Sequence, residues 1–152
     1  MTRNKQDKIT ESADGTRGLA EMAKKFRGGD VVLLMGELGV GKTVLAQGIA
    51  SSLGVKEKVT SPTFTVVGEY QTQSDAIKTL VHVDLYRLPD GQVDKDVAVG
   101  DALERIGDEG RLTVIEWADK LRGELRGRVW RVSMEHGGVP EERIIRIISP
   151  GE

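Results

Sequence analysis

The stretch GELGVGKT, Gly36 to Thr43, constrains this chain more than any other. It fits the spacing G-x-x-x-x-G-K-[ST], which works only between a strand that enters and a helix that leaves. Both neighbours are present. VVLLM, Val31 to Met35, reads as a strand buried on both faces, and Leu45, Ile49 and Leu53 make a helical stripe from about Lys42 that Gly54 ends. Gly36, Gly39 and Gly41 let the backbone curl so that several N–H groups converge on phosphate oxygens. The helix start behind them adds its positive dipole end. Lys42 offers a point charge to the β- and γ-phosphates, and the Thr43 hydroxyl a ligand to Mg²⁺. The motif implies that Gly36, Glu37, Leu38, Gly39, Val40, Gly41, Lys42 and Thr43 hold a nucleoside triphosphate.

The 152 residues suggest one domain, 1–152. A short extended piece is expected near Ile9, then a helix from Ser12 to Phe26 with Leu19, Met22, Ala23 and Phe26 on one face. Strands are predicted at Phe64–Tyr70, Thr79–Leu85, Leu112–Glu116, Arg128–Glu135 and Arg143–Ile148, with a polar loop and a short helix around Asp101–Ile106. The last two strands flank HGGVP and should pair antiparallel. The expected architecture is an α/β P-loop NTPase fold, its mixed, mostly parallel sheet flanked by helices and followed by a C-terminal antiparallel hairpin.

Composition removes several function classes. There are 22 basic and 24 acidic residues, net −2, whereas a protein gripping a nucleic-acid backbone carries a basic excess. The densest basic cluster is Arg122, Arg126, Arg128 and Arg131. No cysteine is present, so neither a disulfide nor a thiolate metal site can form. MTRNKQDKIT has no apolar core of a secretory signal, and VVLLM falls far short of a membrane span. A cytoplasmic protein is expected.

A P-loop needs a carboxylate near its metal, at the end of a neighbouring strand. Asp84 follows TLVHV and Glu116 follows LTVI. One would hold Mg²⁺ and the other orient the attacking water; each alone could equally be a solvated strand-end acid. In TSPTFTVV, Pro62 keeps Ser61 extended. Thr60, Ser61, Thr63 and Thr65 there offer hydroxyls suited to sensing a γ-phosphate, or form a polar turn into an edge strand.

The blocks GELGVGKT, VTSPTFTVV, HVDLYRL and VIEW stand in the order and spacing of TsaE, and from Ala13 to Lys120 the chain resembles that family. Its members are small P-loop ATPases needed for threonylcarbamoyladenosine in tRNA. The resemblance implies that Lys42 and Thr43 are the phosphate lysine and the magnesium-ligating threonine. Glu116 would be the second metal ligand and Asp84 the acid required for hydrolysis, with Trp117 and Lys120 near the nucleotide. It implies ATP and Mg²⁺ as cofactors, TsaB- and TsaD-like proteins as partners, and contact with tRNA only through them. Hydrolysis, slow in the isolated protein, would reset that complex in the cytoplasm. Many relatives have a second Thr where this chain has Val44, whose N–H still suits an α-phosphate. Residues 88–110 match loosely.

Asp84 is expected to face the phosphates, with His82 and Tyr86 on the same side of the strand. His82 reads as a histidine bonded to a neighbouring backbone group, with direct catalysis as the alternative. Arg87 is either a stabiliser of phosphoryl charge or a surface ion-pair member, and Trp117 either a packing residue or a nucleotide contact. Two other functions fit a P-loop. A small-molecule kinase would need an arginine-bearing lid, for which 89–110 offers Arg105 alone. A nucleotide-gated binding module would need no essential hydrolysis.

Overall fold

One sheet separates two apolar layers, and its strands alternate between them. The computed structural model describes residues 24–37, 39–60 and 66–151, together with the backbone of 5–10. Its strands are β1 (Lys5–Thr10), β2 (Val31–Gly36), β3 (Val67–Gln71), β4 (Thr79–Asp84), β5 (Arg111–Glu116), β6 (Val129–His136) and β7 (Arg143–Ile148). The helices are α1 (Lys42–Ser52) and α2 (Val97–Glu104). The strand order is β1-β7-β6-β2-β5-β4-β3. Parallel pairing joins the four central strands, β6, β2, β5 and β4, and antiparallel pairing joins the strands at both margins.

The continuous apolar run of β2 follows from this central place. Val32 and Leu34 pack on one face with Leu45 and Ile49 of α1 and Leu53 just after it, while Val31 and Leu33 pack on the other with Val81, Val83, Val99 and Ala102. A strand covered on both faces has no solvated side on which to place polar residues. Phe26 packs edge-on to Trp130, ring centroids 5.0 Å apart, in the first layer. α1 ends where expected: across left-handed Gly54, φ 78°, the Val55 N–H reaches the Ala50 carbonyl at 3.0 Å.

Three expectations change in detail. The helix around Asp101–Ile106 begins earlier, at Val97, because Asp96 caps it by accepting the Val99 N–H at 3.0 Å. The β-branched residues and Gly100 in VAVGDALE obscure that start. Of the helix expected over Ser12–Phe26, residues 12–23 lie outside the described residues, and Lys24 and Lys25 form a short 3-10 turn. Of the strand expected over Phe64–Tyr70, Phe64 and Thr65 lie outside them too, and β3 begins at Val67. No helix among the described residues is long and apolar enough to cross a membrane.

Candidate active site

The site forms where β2, β4 and β5 end. β2 leaves the sheet at Gly36, whose φ is 146°, and a Cβ there would run into the Met134 carbonyl of β6. Glycine alone lets the loop pass that strand. Gly41, φ 112°, opens α1 without a side-chain cap, and no acidic residue stands in the first turn. The unpaired N–H groups of a helix start therefore meet no competing carboxylate of their own turn. Leu38 lies outside the described residues.

Lys42 is the first residue of α1 yet only 4% exposed. Its Nζ donates to the carbonyls of Gly36 and, at 2.8 Å, Glu37, and it stands 3.9 Å from the centroid of the Trp117 ring. Burial pushes the ammonium below the ordinary lysine range, and the negative charges of Glu116, Asp119, Asp84 and Glu37 oppose that shift. Val44, the next loop residue but one, continues α1 and is half-buried.

Glu116 ends β5 and is buried. Its Oε1 accepts from the Thr43 hydroxyl at 2.8 Å, and its Oε2 lies 2.6 Å from His82 Nε2. The expected backbone partner of His82 is thus replaced by a carboxylate. Register explains the change: His82 stands beside Val114 and Asp84 beside Glu116, so the imidazole reaches one pleat diagonally across the pair.

Asp84 ends β4, and its Oδ1 accepts the Tyr86 N–H at 3.0 Å. This closes a turn of the kind aspartate favours and stops the strand. Tyr86 therefore does not share the strand face of His82; it is 48% exposed, and its ring lies 5.0 Å from that of Trp117. Trp117 has φ 59° and is the only non-glycine residue with positive φ among the described residues. A side chain in that region costs roughly 1–2 kcal/mol. The turn it makes leads into the 3-10 segment Ala118–Lys120. Lys120 Nζ donates to the carbonyls of Tyr86 at 3.0 Å and Leu88 at 2.8 Å, tying that segment to the turn after β4. Trp117 thus packs on Tyr86 and also faces Lys42. Arg87 is exposed in the same turn, and Ser61, Thr63 and Thr65 lie outside the described residues.

The structure adds one residue that no motif announces. Arg143, the first residue of β7, donates through Nε to the Val40 carbonyl at 3.0 Å and braces the loop from behind. A separation of 103 residues hides this contact from any local pattern. The basic cluster seen in the sequence is partly dispersed: Arg128 pairs with Asp30 at 2.9 Å, and Arg126 donates to the Glu104 carbonyl at 2.7 Å.

Among the described residues, no three histidine or carboxylate side chains gather as a metal cage. The Thr43 hydroxyl and Glu116 carboxylate instead offer two hard oxygen atoms side by side. That donor set fits Mg²⁺, which binds through few protein ligands plus water and phosphate oxygens.

Fold and loop together define a protein of the P-loop NTPase fold. The family model of the threonylcarbamoyl adenosine biosynthesis protein TsaE matches residues 10–145. Among named relatives, the tRNA threonylcarbamoyladenosine biosynthesis protein TsaE of Aquifex aeolicus is 43% identical over 115 residues, 74% of this chain and 76% of its own. That of Bacillus subtilis is 31% identical over 136 residues, 89% and 80% of the two chains. The crystal structure of Bacillus subtilis YdiB superposes with a TM-score of 0.70 at 26% identity, covering 99% of this chain and 89% of that one. The chain belongs to the TsaE family.

Proposed function

We propose that this protein is the Mg²⁺-dependent ATP-binding and hydrolysing subunit of a cytoplasmic system that makes threonylcarbamoyladenosine in tRNA. Its partners would be TsaB- and TsaD-like proteins, and it would meet tRNA only through them. The observation that carries this reading is the 2.8 Å contact between Thr43 of the loop and Glu116 at the end of β5. It brings together, from residues 73 apart, the two side chains to which this reading assigns the metal.

The residues divide the work. The loop amides from Gly36 to Thr43, with the Val44 N–H, bind the phosphates, and the Lys42 ammonium neutralises charge on the terminal pair. Thr43 and Glu116 hold the metal, which when bound screens phosphate charge and fixes phosphate geometry. Asp84, beside Glu116 in the register, orients the attacking water. Trp117 covers Lys42 and borders the nucleotide; Lys120 acts through the turn it holds. No cis arginine is assigned to the reacting phosphate, so turnover in isolation is expected to be slow.

The kinase alternative needs 89–110 as a moving lid, but Val93, Val99 and Ala102 anchor that segment in the core and Arg105 pairs with Asp108. A guanine preference also lacks support. The letters N-K-x-D do occur, at Asn4–Asp7, but Lys5 to Asp7 belong to β1, which β7 and β6 separate from β2.

The test is reconstitution with TsaB- and TsaD-like partners, ATP, Mg²⁺ and the transfer substrates. Sustained tRNA modification should require this protein, and both Asp84→Ala and Glu116→Ala should abolish it. Unchanged turnover in both variants would overturn the mechanism. Asp84→Ala that kept ATP affinity and the full modification cycle would favour the gated binding module instead.

A further inference from the structure

Among the described residues, the buried His82 imidazole has one hydrogen-bond partner, and that partner is the carboxylate at the centre of the site. Nε2 lies 2.6 Å from Glu116 Oε2, with both side chains almost wholly buried. Nδ1 is buried as well and has no hydrogen-bond partner among the described residues. A carboxylate offers only lone pairs, so the hydrogen of this contact sits on Nε2 and the imidazole donates. Leaving Nδ1 unpaired costs free energy that an apolar side chain of similar size would not. A packing role alone does not account for a histidine here.

From this geometry we infer that His82 is a positioning residue for the metal site, holding Glu116 in the rotation that turns Oε1 toward Thr43. The inference rests on the nucleotide–metal reading above. Glu116 leaves its strand with free torsions along its side chain, and two contacts fix its carboxylate plane: Thr43 on Oε1 and His82 on Oε2. If only the first remained, the group could swing away whenever the Thr43 hydroxyl turned to a cation. With the second in place, Oε2 is committed and Oε1 stays beside Thr43. His82 makes no hydrogen bond to the described residues of the loop. Partners that orient a metal-ligating side chain in this way commonly change metal affinity by about 10–100-fold when removed.

Three substitutions separate orientation from packing. His82→Gln places an amide N–H close to the Nε2 position; His82→Asn keeps the polarity but reaches only to about the Nδ1 position; His82→Leu keeps apolar bulk alone. The readout is the Mg²⁺ concentration at half-saturation of ATP binding, by calorimetry, with metal-free ATP affinity and thermal midpoint as controls. His82→Asn and His82→Leu should raise the Mg²⁺ requirement about tenfold. Metal-free affinity should move less than about twofold, because the loop is untouched, and His82→Gln should stay within about threefold of the parent. Should His82→Leu fail to fold, the Gln–Asn pair decides. Equal Mg²⁺ requirements in those two and the parent would overturn the inference while leaving the nucleotide reading intact. A parent whose ATP binding ignores Mg²⁺ would overturn both.

Discussion

Arg143 of β7 donates to the carbonyl of Val40 in the P-loop, Nε to O, at 3.0 Å. The same guanidinium donates through Nη1 to the carbonyls of Pro140 and Glu142, so it joins the loop to the β6–β7 turn. A charge-assisted hydrogen bond of this kind contributes about 1.5–3 kcal/mol when it is well shielded, and less here because Arg143 is half-buried. Arg143→Ala should therefore weaken ATP binding about fivefold to tenfold while shifting thermal stability little. Isothermal titration and a melting curve together check this. Equal affinity in parent and variant would show that the loop holds its shape without the brace.

Lys42 should give ATP binding an alkaline limit. Burial has already moved its ammonium below the ordinary lysine range in the free protein, and a bound phosphate would hold the proton on. Binding then takes up a proton at alkaline pH, and linkage makes affinity fall as pH rises. Above the free-state pKa the loss approaches about tenfold per pH unit. The fall should begin below the pH at which an ordinary lysine titrates. Lys42→Arg, though weaker throughout because its planar fork fits the loop poorly, should flatten this alkaline limb. A parallel decline in parent and variant would assign the limit to another group.

Trp117 and Trp130 are the two tryptophans of the chain, and they differ in surroundings. Trp117 stands against Lys42, whereas Trp130 is buried, with its Nε1–H on Asp30 at 2.9 Å. Adding ATP should change the fluorescence of Trp117 alone. The response should vanish in Trp117→Phe and persist in Trp130→Phe. The opposite pattern would remove Trp117 from the nucleotide's neighbourhood.

Asp30 offers a control for stability without function. It is 1% exposed and accepts from Arg128 Nε at 2.9 Å, Trp130 Nε1 at 2.9 Å and the Arg27 N–H at 3.0 Å. It precedes β2, at the end opposite the P-loop. Asp30→Ala would leave buried donors unpaired and should cost about 3 kcal/mol in urea unfolding. ATP affinity measured well below the new melting temperature should not change. A large affinity loss there would mean that the two ends of β2 are coupled.

The loop, its strand and its helix were legible because each rests on a local pattern: glycine spacing, an unbroken apolar run and an i, i+4 stripe. Asp84 and Glu116 were legible as acids at strand ends, but their neighbours were not. That Glu116 touches both Thr43 and His82 depends on β2, β5 and β4 lying side by side, an order no periodicity encodes. The place of Tyr86 is hidden in the sequence because alternation in HVDLYRL continues past Asp84 while the chain turns there. Asp96 carries a usable signal, since an aspartate just before a helical run is a recognisable cap, but the apolar, β-branched residues after it mask where that run starts. Arg143 had no signal at all.

The antiparallel pairing of β1 with β7 sets Lys5 beside Ile148 and Thr10 beside Arg143. An uncovered β7 would offer a row of free amide and carbonyl groups to any extended chain that met it. Among the described strands, the first in chain order thus pairs with the last and covers that side of it. Removing β1 would move that margin of the sheet inward to β7, the very strand whose first residue braces the glycine-rich loop.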